Sequence, residues 1–244
     1  MRIFDAHRVL GPVPGDHVPS ADVAGLLAEL DHLGTDGAAV TPSHGLYGDP
    51  AHEHGAGPGS VPGHERLVPV PVILPAVPGA GWPDGPGAVV DAAPAMVRAC
   101  PVRHRFALTG PVALRWWHEL AVAAIPLALD ASETGLDRVG ALAAAVPELR
   151  ILVLSPGYRC LRELAELLDA HPGIHVETGT LAAAGAVEWL ARRSGAHRLV
   201  FGTGAPVWDD AGPRFQLDHL RLPAADVELI AAGSFEALRA GGRR

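Results

Sequence analysis

The 244-residue chain has no lysine, no asparagine and one glutamine, Gln216; all 19 formally basic residues are arginine. Without lysine there is no Schiff-base nucleophile, no carboxylated lysine to bridge two metals and no P-loop lysine for a nucleotide phosphate. Cysteine is scarce: Cys100 and Cys160 are too few for a disulfide framework, which points to a reducing, cytoplasmic setting. Positive charge is in deficit. The 19 arginines face 27 acidic residues, a formal net charge of −8, so neither nucleic acid nor an anionic membrane is an expected partner. No apolar run reaches the roughly 18 residues of a membrane helix. The opening MRIFDAHRVLG reads as a strand carrying charges, unlike a signal peptide.

What the chain does contain is apolar surface. Apolar residues make up 48% and charged residues 19%, enough for a sizeable core, and no linker or internal repeat divides residues 1–244 into separate domains. Short β-rich runs are expected at 2–5, 37–41, 67–74, 95–100, 125–130, 150–155, 174–178 and 198–203. Helical patterns fall at 21–33 behind a Ser20 cap, then at 88–93, 112–124, 136–146, 160–170, 181–193, 224–232 and 234–240. A Gly/Pro/His-rich stretch, 42–62, has no periodicity and reads as a long loop. Eight strands alternating with helices over this length is the arithmetic of a single α/β (β/α)8 TIM barrel. An open doubly wound sheet is the alternative, but no G-x-G-x-x-G follows the first strand.

In a (β/α)8 barrel, chemistry sits at the C-terminal strand ends. That places His7, Thr41, Arg98, Cys100, Arg103, Asp130, Glu133, Ser155, Arg159, Glu177, Thr203 and Trp208 near one face. Arg98, Arg103 and Arg159 can hold a carboxylate as planar forks or pair structurally with Asp130, Glu133 or Glu177; for Arg103 the structural role is the expectation. Asp130 or Glu177 beside His7 can act as a general base, or simply bond a loop backbone. Ser155 lacks a G-x-S-x-G elbow. The two cysteines read as packed thiols, and Trp116 and Trp117 as residues packed on the barrel exterior or a partner subunit. His44, His52, Glu53, His54 and His64 crowd the loop after the second strand, although a Gly/Pro loop seldom pre-organises metal ligands.

Four segments, in register along nearly the whole chain, resemble the amidohydrolase-related (amidohydrolase 2) proteins. IFDAHRVLGP is similar to their opening I-x-D-x-H-x-H-x-G, HPGIHVETGTL to their seventh strand, RLVFGTGAPVWD to their eighth, and ELIAAGSFEALR to their closing helix. The resemblance implies a TIM barrel with hydrolase or decarboxylase chemistry, which in this family is commonly metal-dependent. The departures lie at the metal ligands. His7 matches the first histidine, Val9 stands at the second, Gly204 at the eighth-strand aspartate, Asp130 near the fifth-strand histidine, and Ser155 or Pro156 near the sixth-strand one. Since mononuclear zinc catalysis needs about three protein ligands, no metal or other cofactor is expected, with zinc or manganese at a site rebuilt from His44, His52 or His54 as the alternative.

The resemblance therefore implies hydrolysis of a lactone, ester or amide, or a decarboxylation, on a small carboxylate-bearing molecule without a catalytic metal. His7, Asp130 and Glu177 are the expected catalytic residues, and Arg98, Ser155, Arg159 and Trp208 the substrate-binding ones. The competing expectation is a catalytically silent barrel that binds a ligand or partner protein. An open polar pocket at His7 separates the two. The family also suggests a homodimer.

Overall fold

Strands buried along almost their whole length alternate with amphipathic helices through the computed structural model, which describes residues 1–50, 61, 63–77 and 83–240. The order is β1 Phe4–Leu10, α1 Val23–Leu33, β2 Gly37–Pro42, α2 Ser43–Tyr47, β3 Leu67–Pro69, α3 Pro86–Ala92, β4 Val97–Ala99, α4 Pro111–Val122, β5 Leu127–Asp130, α5 Ala131–Thr134, α6 Leu136–Ala145, β6 Ile151–Leu154, α7 Leu161–Ala170, β7 Ile174–Glu177, α8 Ala186–Ser194, β8 Leu199–Val200, α9 Ala211–Asp218, α10 Ala224–Glu228, a π-helical turn Leu229–Gly233, and α11 Ser234–Ala240.

β1-β2-β3 and β4-β5-β6-β7-β8 form two parallel sheets. Their edges meet twice. Val72 bridges Arg98 and Arg8 bridges Ala205, both parallel, with Ile73 N–H donating to Arg98 O and Val9 N–H to Ala205 O, each at 2.9 Å. The eight strands thus close into the (β/α)8 ring that the sequence pattern predicts. The third strand is shorter than the expected 67–74. Pro69 and Pro71 carry no N–H, so ladder pairing lapses after Pro69 and resumes at Val72.

Alternation sorts the side chains into two layers. Leu127, Leu129, Ile151, Val153, Ile174, Val176 and Leu199 join the core between strands and helices. Ala128, Leu152, Leu154 and Val200 join the barrel interior with Phe4, Met96, Phe235 and Leu238. Phe235 stacks on Phe4 at 5.1 Å between ring centroids, so the C-terminal helix plugs the N-terminal mouth of the barrel. The π-helical turn leaves the Ile230 carbonyl free to accept from Phe201 N–H at 2.8 Å, tying that helix to the end of β8.

Several expectations need correction. α1 is capped by Asp22, whose carboxylate accepts from Gly25 N–H, rather than by Ser20. The stretch expected as loop from residue 42 starts with α2, and His52, Glu53 and His54 lie outside the described residues. α9 was not expected: Gly212 and Pro213 mask it, yet proline is tolerated in a first turn whose N–H groups have no intrahelical partner. Trp116 and Trp117, by contrast, pack on the barrel exterior as expected, fully buried between strands and helices, with Trp117 Nε1–H donating to Leu108 O at 2.8 Å. No helix among the described residues is long and apolar enough to cross a membrane.

Candidate active site

Parallel register decides which side chains meet at the C-terminal face. Arg98 pairs with Ala128, and Asp130, two residues further on, with Leu154. The Arg98 side chain therefore rises past a methyl group to reach the Asp130 layer. Its Nη2 donates to Asp130 Oδ2 at 3.2 Å, and its Nη1 lies 3.0 Å from His7 Nε2. A guanidinium only donates, so Nε2 is the acceptor and the imidazole proton sits on Nδ1. Nδ1 in turn lies 3.0 Å from Glu177 Oε2.

Each acid in this chain is held from behind. Glu177, fully buried, accepts Ser155 N–H (2.8 Å) on Oε2 and Gly179 N–H (3.0 Å) on Oε1. Asp130 caps α5, its Oδ1 accepting from Ser132 N–H at 2.9 Å and Ser132 Oγ at 2.6 Å. The result is a continuous relay, Asp130–Arg98–His7–Glu177, buried except at its half-buried Asp130 end and drawn from four strands.

A second buried acid locks the His7 backbone. Asp5 accepts from His7 N–H and Thr203 N–H, both at 3.0 Å, and from Thr203 Oγ1 at 2.7 Å. Burial pushes its carboxyl above the ordinary range against the pull of Arg8. Arg8 itself is fully buried and paired with Asp210 at 2.9 Å and with Glu29. Asp5 lies within the motif IFDAH, where the D-x-H spacing was a usable signal, but no role follows from the sequence without its Thr203 partner.

Two adjoining cavities open onto this face. A polar one of about 110 Å³ is lined by His7, Arg98, Arg103, Asp130 and Glu133, with Tyr47 and Cys100 in its wall. Burial pushes the Cys100 thiol up to about 11, which leaves no thiolate nucleophile at neutral pH. The larger cavity, about 600 Å³, lies over the ends of β6 and β7 against α9. Ser132 and Trp208 line both.

Of the residues expected from the sequence, His7, Arg98, Asp130 and Glu177 meet in the relay, and Trp208 stands at the junction of the cavities. Ser155 lines the larger cavity; its N–H serves Glu177, while its Oγ has no partner among the described residues. Arg159 is not brought to the site. It is exposed, lies over the Tyr158 ring at 5.1 Å and lines neither cavity. Arg103, expected to be structural, does line the polar cavity. Its guanidinium rests 4.9 Å over the Tyr47 ring and forms no ion pair among the described residues. His44 is exposed on α2. No group of three or more His, Cys, Asp or Glu side chains among the described residues is arranged to hold a metal ion.

No protein-family profile and no curated protein matches the chain. Solved structures do. An uncharacterised TIM-barrel protein from Bordetella bronchiseptica superposes with a TM-score of 0.76 at 15% identity, over 100% of both chains. A 2,6-dihydroxybenzoate decarboxylase from Rhizobium gives 0.70 at 14%, over 98% of both. A putative 2-pyrone-4,6-dicarboxylic acid hydrolase from Pseudomonas putida gives 0.69 at 17%, over 100% of this chain and 98% of that one. The chain shares the TIM-barrel fold of these structures.

Proposed function

We propose that the protein hydrolyses a lactone, ester or amide in a small carboxylate-bearing molecule, without a catalytic metal. The observation that carries this reading is the relay Asp130–Arg98–His7–Glu177 opening on a polar cavity. A silent barrel would have this face filled by apolar side chains or by the stretch 42–62; the cavity beside His7 is lined by Val9, Leu46, Tyr47 and Val207 but also by Arg98, Arg103, Asp130 and Glu133, and those charged groups favour an enzyme. The structurally similar hydrolase and decarboxylase support the same general chemistry.

The described residues do not suit the divalent ion that the fold family implies. The one imidazole matching a family ligand presents its Nε2 lone pair to a guanidinium, and Val9 and Gly204 supply no donor. Gly204 has φ +74°, and a Cβ there would stand 2.6 Å from Trp208 Cδ1 and 3.3 Å from the His7 ring. A side chain at residue 204 would have to displace the Trp208 indole.

In the proposed reaction a water replaces Arg98 at His7 Nε2 and loses its proton there as its oxygen attacks the substrate carbonyl carbon. Glu177, already bonded to Nδ1–H, stabilises the imidazolium, as the acid of a catalytic triad does. Arg98, kept in place by Asp130, turns its freed N–H to the carbonyl oxygen as negative charge develops. The imidazolium then returns the proton to the leaving oxygen or nitrogen. Asp130 and Glu177 act as positioning residues here, because all their oxygens are committed to N–H or O–H donors. Arg103 is the group that would meet the substrate carboxylate.

Chelator-treated protein of verified metal content, assayed on lactones, aryl esters and small carboxylates, tests the proposal. Turnover is expected without added metal, with His7→Gln lowering kcat/KM by roughly 10²–10⁴. Activity that requires a stoichiometric metal, or that survives His7→Gln, refutes it.

A further inference from the structure

The larger cavity has no part in the chemistry above, yet it lies beside the polar one, the two sharing Ser132 and Trp208 as lining residues. We propose that it is a tail-binding cleft, and that the natural substrate is a monoanionic acyl compound whose single apolar tail, a medium-length chain or ring, lies there. The head-group half of this proposal rests on the function proposed above.

The chemistry of the lining sets the ligand class. Pro156, Tyr158, Ala182, Trp208 and Pro213 supply apolar surface. The polar groups among them are mostly committed within the protein. Ser132 Oγ donates to Asp130, Thr180 Oγ1 accepts Gly157 N–H at 2.8 Å, and Gln216 Nε2 donates to Leu181 O at 3.0 Å. A sugar or nucleotide would find few partners, and burying its hydroxyls unpaired is costly. No arginine lines the cleft, and its one formal charge is the Asp209 carboxylate, which repels a second anionic group. A dicarboxylate is therefore a poor fit, and a tail of CH₂ groups or a ring a good one. Volume agrees. The polar cavity of about 110 Å³ accommodates little beyond the reacting group, while about 600 Å³ beside it is of the size that takes whole small-molecule ligands.

Calorimetric titration of the intact protein with acetate, butyrate, hexanoate and octanoate, and with hexanol and octanol, tests this. Affinity is expected to rise about fourfold per methylene at full burial and at least twofold in a cleft open on one side. Ala182→Trp should flatten that slope by filling the cleft; Gln216→Trp, on α9, does the same job if the first variant fails to fold by circular dichroism. Equal affinity for all the acids overturns the cleft and leaves the function standing. A slope that persists undiminished in a folded blocking variant also overturns it, by placing the tail elsewhere. Alcohols that bind with a length dependence while no acid binds uphold the cleft and overturn the anionic head group, and with it the carboxylate-bearing substrate proposed above.

Discussion

Glu177→Gln is the sharpest probe of the relay. The wild-type carboxylate receives three buried N–H donors, from His7 Nδ1, Ser155 and Gly179. A glutamine amide has one acceptor oxygen, and its NH₂ must then oppose at least one of those donors. A buried donor left unpaired costs about 1–3 kcal/mol, and hydrogen bonds to a charged group are each worth about 1.5–3 kcal/mol. Allowing for relaxation, the substitution should cost about 2–4 kcal/mol, a fall in Tm of roughly 5–15 °C for a chain of this length. Urea denaturation followed by circular dichroism reads the loss as a lower midpoint with unchanged m. Repeating the substitution in a His7→Ala background removes one donor and gives the amide room, so its penalty should shrink by about 1 kcal/mol. A variant within about 0.5 kcal/mol of wild type would show that Glu177 is not the anchor described, since unremarkable sites typically stay inside that margin.

Two further predictions concern stability. Burial, reinforced by Arg198, lowers the His175 pKa from 6.5 to about 4. A base with a depressed folded-state pKa contributes stability above its unfolded value and loses it as pH falls towards the folded one, so wild type should lose up to about 3 kcal/mol between those limits. His175→Gln should lose less over the same window; parallel acid titrations would contradict the assignment. Gly204→Ala should cost about 1–2 kcal/mol through its φ of +74° and displace the Trp208 indole, changing tryptophan emission. Unchanged stability and emission would mean that the space at residue 204 is not as crowded as the geometry indicates.

Strand identity was legible wherever apolar residues alternated or ran together, because a buried parallel strand needs little else. The same logic made His7, Arg98, Asp130 and Glu177 candidates, since each sits at or near a strand end and so at the functional face. Gly204 and Val9 were legible as departures from the family pattern. The capping of α1 by Asp22 in place of Ser20, and the presence of α9 behind Gly212 and Pro213, were not, because both depend on local backbone geometry that several sequences satisfy equally well.

From composition and periodicity alone followed an eight-stranded α/β barrel and the exclusion of lysine chemistry. Tertiary structure decided the rest. Ring closure depended on two isolated bridges, at Val72 and Arg8, that no periodicity marks. Which arginine serves the site was equally hidden: Arg98 lies within β4 while Arg103 and Arg159 follow β4 and β6, but a long flexible side chain goes where its partners are. Asp130 and His7 draw Arg98 inward, Tyr47 supports Arg103 at the cavity wall, and Tyr158 holds Arg159 outside. A strand end sets where a side chain starts, and only its neighbours in space set where it finishes.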